Sequence, residues 1–125
     1  MEKKYLTLND ISAYKKSFAL SNFVWEIIYQ WNYFEKDTVG KQFVRAIDSI
    51  SANIAEGFGR YDKKDKIKFY YYSRGSVKES LDWNEKAKNR KLFTKDEYDK
   101  IFKDLNLLSK EINNLIRFTN NNLTI

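Results

Sequence analysis

Residues 94–116 read TKDEYDKIFKDLNLLSKEINNLI, and they decide the fold class. Thr94-Lys95-Asp96-Glu97 is a capping-box pattern, in which the Thr hydroxyl and the Glu carboxylate satisfy each other's free backbone amides at a helix start. Tyr98, Ile101, Phe102, Leu105, Leu108, Ile112, Leu115 and Ile116 then recur at spacings of three and four. That period lays one apolar stripe along a helix and is incompatible with a strand, whose faces alternate every two residues. The spacing predicts a helix over about 94–119, with Asn120-Asn121-Asn122 fraying at its end.

Working outward, three more segments carry the same period. In the first, about 10–34, one stripe runs through Ile11, Tyr14, Phe18, Ser21, Trp25 and Ile28. Leu20, Val24, Ile27, Trp31 and Phe34 form a second beside it, making an arc wider than one bundle seam needs. The second segment, about 38–58, aligns Val39, Phe43, Ala46, Ile47, Ile50, Ile54 and Phe58, with Gly57 and Gly59 read as its stop. The third, about 62–88, aligns Phe69, Ser73, Ser76, Ser80, Trp83 and Ala87. Links around Glu35-Lys36-Asp37, Gly59-Arg60-Tyr61 and Arg90-Lys91-Leu92 are short, which forces successive helices to run in opposite directions. The expectation is one all-α domain over 1–125, an antiparallel up-down-up-down four-helix bundle.

Composition narrows the chemistry. There is no cysteine, hence no disulfide, thiolate nucleophile or sulfur metal site. There is no histidine either, which removes the commonest general base and the commonest transition-metal ligand. Proline is absent and glycine numbers four, a composition that suits long helices. The opening Met1-Glu2-Lys3-Lys4-Tyr5 has no apolar run behind it, and no stretch approaches the ~20 residues of a membrane span. A cytoplasmic location with no membrane association follows, and Asn122-Leu123-Thr124 is then a chance match to a glycosylation sequon. No enzyme, cofactor or metal is expected.

A polar ladder sits at the edge of the second apolar arc. Arg45, Ser49, Asn53, Glu56 and Arg60 fall within about 80° of one another on a helix of 3.6 residues per turn. The third segment adds Arg74, Gly75, Ser76 and Glu79. Gly75 in mid-helix costs about 1 kcal/mol relative to alanine, which the close approach of a neighbouring helix would explain. Packed side by side, the two ladders are expected to exchange hydrogen bonds and so fix helix register. Glu56 with Glu79 is an acid–base pair only on paper, because arginines stand close to both.

These residues also carry a resemblance. Arg45-Ala46, Ser49-Ile50, Asn53-Ile54-Ala55-Glu56-Gly57, Gly59-Arg60, Arg74-Gly75-Ser76 and Glu79 resemble the hallmark of the four-helix-bundle proteins encoded in intervening sequences of 23S ribosomal RNA genes. The accessory variability determinant of diversity-generating retroelements is a relative of that family. The resemblance implies a homopentamer with a basic surface that engages nucleic acid. In the retroelement relatives it also implies a reverse transcriptase as partner. One departure is that the family usually has a proline before the second helix, where this chain reads Phe34-Glu35-Lys36-Asp37.

The net charge is +6, and all of the excess lies between Arg60 and Lys91, which holds eleven Lys/Arg against five Asp/Glu. Lys63, Lys64, Lys66 and Lys68 crowd one end of the third segment, and Lys86, Lys88, Arg90 and Lys91 the other. Clustered cations attract a phosphate backbone by counterion release, without base reading. Tyr61, Tyr70, Tyr71 and Tyr72 lie nearby, where they could stack on bases or pack in a core or interface. The expected function is binding of RNA or an RNA–protein complex by an oligomer, with Lys63, Lys64, Lys66, Lys68, Arg90 and Lys91 on phosphates. The alternative is a protein-interaction scaffold that docks a polymerase or reverse transcriptase.

Overall fold

The structure is a computed structural model that describes residues 6–123; the opening Met1-to-Tyr5 stretch and Thr124 of the sequon lie outside the described residues. Among the described residues every regular element is helical and none is a strand. A 3-10 turn, Leu8–Asp10, leads into α1, Ser12–Tyr29. A short turn, Tyr33–Glu35, and a π-helical turn, Lys36–Gly40, run into α2, Lys41–Phe58; α3 is Lys63–Asn89 and α4 is Lys95–Asn122. No described helix is long and apolar enough to cross a membrane.

The first link falls earlier than its expected place. Gln30 N and Trp31 N bond to Ile27 O and Ile28 O at 3.1 and 3.0 Å, the tighter pattern that closes a helix. Trp31 packs its ring on Phe93, 5.4 Å between centroids, and Asn32 then turns extended at φ −64°, ψ 161°. Glu35-Lys36-Asp37 is therefore not a loop. Residues 35, 36, 40 and 41 all keep right-handed helical angles, so α2 is preceded without a break by its own lead-in. Phe34 belongs to that lead-in and leaves the stripe assigned to the first helix.

The other ends follow local chemistry. Thr94 Oγ1 accepts from Glu97 N at 3.1 Å while Thr94 N donates to Glu97 Oε1 at 2.9 Å, the capping box in full. Asp62 caps α3 by accepting from Asp65 N at 2.8 Å. Lys91 takes a left-handed φ of 61°, and Leu92 N reaches back to Ala87 O at 2.9 Å to close that helix. The three asparagines expected to fray stay helical through Asn122. The ammonium of Lys63 holds the carbonyls of Asn120 and Leu123, and Asn122 Nδ2 donates to Phe118 O at 2.9 Å.

The core is shared unequally. α2 and α4 supply the large side chains, Phe43, Ile47, Ile50 and Ile54 against Ile101, Leu105, Leu108 and Ile112, with Val24 from α1. Half of the buried residues of α3 are small, Ser73, Ser80 and Ala87, which lets it approach closely. Ser73 Oγ donates to Ile50 O of α2 at 2.7 Å. Gly57 lies against Tyr70 in the same contact. Between α3 and α4, Lys63 meets Asn120, Arg74 meets Asn113 and Asn84 meets Tyr98; between α1 and α4, Lys16 meets Glu111 and Lys100 meets Phe23. In each pair of helices the numbers rise along one as they fall along the other.

α2 ends at Phe58 as expected, but of the two glycines read as its stop only Gly59 stands at the cap. Gly59 caps α2 at φ −79°, an angle open to any residue, and Gly57 is buried inside the last turn. Its role is proximity. A Cβ there would lie 2.7 Å from Tyr70 Cε1 and 2.9 Å from Lys66 O.

Candidate nucleic-acid interface

The six cations expected on phosphates divide into two kinds. Lys63 Nζ donates to Asn120 O at 3.2 Å and Leu123 O at 3.1 Å, at the end of α4. Lys66 Nζ donates to Phe58 O at 2.7 Å, at the end of α2, and lies 5.5 Å over the Phe58 ring. Burial pushes its ammonium below the ordinary lysine pKa. Helix C-termini leave carbonyls unbonded and carry partial negative charge, so an ammonium from the adjoining helix suits both ends. Lys63 and Lys66 thus close helix ends, a role that their reading as phosphate ligands did not include.

The remaining four stay available. Lys64, Arg90 and Lys91 are exposed and form no ion pair among the described residues. Lys68 is exposed beside Asp65, with a loose 3.8 Å pair. At 1.5 Å per residue α3 is about 40 Å long, so Lys64 and Lys68 stand at one pole and Arg90 and Lys91 at the other. Lys88 joins the second pole, its ammonium 4.3 Å over the Tyr98 ring. The Tyr98 hydroxyl donates to Glu85, and that bond, more than burial, pushes its pKa up to about 12.

The polar ladder works differently from its expected role. Ser49 Oγ donates to Arg45 O at 2.7 Å, Asn53 Nδ2 to Ser49 O at 2.9 Å, and Arg60 pairs with Glu56 at 3.1 Å, all within the α2 segment. On α3, Glu79 accepts from Trp83 Nε1 at 3.4 Å, and Arg74 donates to Asn113 of α4 at 2.9 Å. Among the described residues the two ladders exchange no bonds. Side chains of this length reach their own previous turn first, which leaves register to Ser73, Gly57 and Asn84. Glu56 lies level with the turn of Tyr70, about 13 Å along α3 from Glu79, so the two carboxylates do not form a pair. Gly75 is exposed with no atom within 4 Å of a Cβ, so no neighbouring helix of this chain explains it.

Sequence reasoning placed nothing on α1. The structure leaves Phe18, Trp25 and Tyr29 exposed along one of its edges, while Leu20, Val24 and Ile28 face the core. The width of the apolar arc was the signal, since one core seam could not use both stripes. Beside Trp25 and Tyr29 stand Lys36, Lys41 and Arg45.

A family model described as 23S rRNA-intervening sequence protein matches residues 9–114, which takes in the ladder of α2 and the polar group of α3. The chain belongs to that family. Among solved structures, this chain is similar to a protein of unknown function from the S23 ribosomal protein family of Bacteroides thetaiotaomicron. The two share 21% identity and a TM-score of 0.75, over 84% of this chain and 98% of the other. At that identity the likeness carries the fold. No curated protein matches. Within this chain, the motif that carries the resemblance is placed for packing at Gly57, and for solvent at Arg45, Glu56 and Arg60.

Proposed function

We propose that this protein is a non-catalytic nucleic-acid-binding module, acting on the phosphate backbone of RNA in the cytoplasm, without cofactor or metal. The observation that carries the reading is the pair of exposed cation groups at the poles of α3, with Lys64, Arg90 and Lys91 free of ion pairs among the described residues. A solvated cation with no carboxylate neighbour releases counterions fully when it meets a phosphate. The family description, which names an rRNA intervening sequence, favours RNA over DNA.

The same reading takes the helices as an antiparallel up-down-up-down bundle, which the opposed order of the contacts supports. It also takes the protein as a homo-oligomer. Gly75 supports this, being a costly mid-helix glycine with open space over it, between Tyr71, 47% exposed, and Glu79. A second copy lying close would make use of the missing side chain, with Tyr71 and Tyr72 packed around it. Five copies is the number the family resemblance implies. The exposed tyrosines also support the second reading, a scaffold that docks a polymerase.

The test is binding of structured RNA and of duplex DNA across a salt series, beside a variant with Lys64, Lys68, Arg90 and Lys91 changed to glutamine. Lys63 and Lys66 stay in place because they close helix ends. The log–log salt slope is expected to fall by about 3 in the variant, from roughly 0.7–0.9 per phosphate contact. A folded oligomer that binds neither polymer at low salt would leave the scaffold. Light scattering that shows a monomer would remove the oligomer.

A further inference from the structure

A groove of about 250 Å³ runs between α1 and the start of α2. One wall is aromatic. Trp25 and Tyr29 lie one helical turn apart, their rings 6.4 Å between centroids and 29° from parallel, and they are 50% and 61% exposed. The other wall carries Lys36, Lys41 and Arg45, and no carboxylate lines the groove.

The π-helical turn builds this wall. In an α-helix, residues five apart point about 140° away from each other. Here Lys41 N bonds to Lys36 O, the five-residue spacing of a π turn, which narrows the angle between residues five apart. Lys36 and Lys41 therefore both border the groove. Lys36 Nζ lies 4.9 Å over the Tyr29 ring, and Lys41 pairs with exposed Asp37 at 3.3 Å. Arg45 has no ion pair among the described residues. Gly40 lies at the base, where a Cβ would come within 2.8 Å of Ile28 Cγ2, so its lack of a side chain lets the turn lie against α1.

We propose that this groove is a stacking site for one unpaired base of a single-stranded segment. Trp25 and Tyr29 supply the ring faces, and Lys36, Lys41 and Arg45 hold the flanking phosphates. The inference rests on the nucleic-acid reading above and adds a preference for single strands. Base–aromatic stacking needs a base whose face is free, which a duplex does not offer. Charge selects this occupant over a second copy of the chain. Lys36 and Arg45, which have no ion pair among the described residues, would be desolvated against an apolar helix, whereas a phosphate on either side of a base completes them.

The test is fluorescence anisotropy of a short labelled oligouridylate and of a blunt RNA duplex of equal length. The wild type is compared with Trp25→Ala, Trp25→Phe and the double variant Lys41→Gln/Arg45→Gln. Trp25→Ala is expected to weaken single-strand binding roughly tenfold or more, with duplex affinity and the salt slope unchanged. Trp25→Phe recovers most of the loss, and the double variant lowers the single-strand slope by about 1.4. Trp25 is half-exposed, so the variants fold, which circular dichroism checks. Single-strand binding unchanged by Trp25→Ala overturns this inference and leaves the general reading standing. A change of assembly mass in Trp25→Ala also overturns it, since the face is then a subunit interface. Absence of binding to either probe removes both.

Discussion

Gly57→Ala is expected to destabilise the protein by about 3 kcal/mol, a loss of roughly 10 °C in Tm for a chain of this size. On an ordinary helix surface the same change is stabilising, because alanine surrenders less backbone entropy than glycine. Here the added methyl would stand 2.7 Å from Tyr70 Cε1 and 2.9 Å from Lys66 O. The first atom belongs to a buried ring and the second to helix backbone, so neither neighbour can rotate away. The remaining response is for α2 and α3 to separate. That would stretch the Ser73–Ile50 bond and draw Lys66 from the Phe58 carbonyl it closes. Gly75→Ala is the internal control. Nothing lies within 4 Å of its Cβ, and alanine there is expected to raise the stability of the isolated chain by about 0.5–1 kcal/mol. Urea midpoints of the two variants, beside the parent, check both signs in one experiment. A Gly57→Ala protein as stable as the parent would mean that α2 and α3 do not pack in this register.

The opposite expectations for two glycines show where sequence reading works and where it stops. Gly57 sits two residues before Gly59 at the end of an apolar period, and a terminal glycine pair reads naturally as a helix stop. Only the position of Tyr70 on the next helix reveals it as a contact residue. Gly75 misled in the reverse direction, since close approach was the simplest account of a mid-helix glycine and the chain leaves that space open. Helix four was legible nearly to its end, because a capping box and an unbroken stripe are local signals. Its last turn was not, because the ammonium that holds it comes from Lys63, 57 residues earlier than Asn120. The first link was misplaced for a related reason. No glycine or proline marks Gln30-Trp31-Asn32, and the packing of Trp31 on Phe93 is long-range.

The candidate surface shows the same division. Charge counting picked out the helix that carries the excess cations, and both of its poles. It had no means of telling Lys64 from Lys63 and Lys66, whose targets are carbonyls of other helices. The groove at Trp25 was further from reach, since it depends on a π turn that leaves no trace in an apolar period. What the sequence did carry was the surplus, an apolar arc on helix one wider than its core could absorb.

Alkaline pH is expected to destabilise the protein through Tyr70. Burial pushes its phenol up to about 12 from the ordinary value of 10. The folded state therefore prefers the neutral form. Below pH 10 both states hold the proton and the group contributes no pH dependence. Between 10 and 12 the unfolded chain ionises first, so stability falls by up to about 1.4 kcal/mol per pH unit, and by roughly 2 kcal/mol across the window. Tyr98, also raised to about 12, acts in the same direction, but it is more open to solvent and its effect is smaller. Lys66 works the other way. Its ammonium is already disfavoured in the fold, so stability rises slightly as pH approaches the ordinary lysine value of 10.5. The measurement is the urea midpoint from pH 8 to 11.5 for the parent and for Tyr70→Phe. The Tyr70 hydroxyl makes no hydrogen bond among the described residues and borders a cavity lined by Ile11, Leu115 and Phe118, so phenylalanine should be nearly neutral at pH 8. Above pH 10 the variant should lose stability markedly less steeply than the parent. Parallel declines would mean that Tyr70 ionises as freely in the folded protein as in the unfolded chain, and the close seat of its ring against Gly57 would then be wrong.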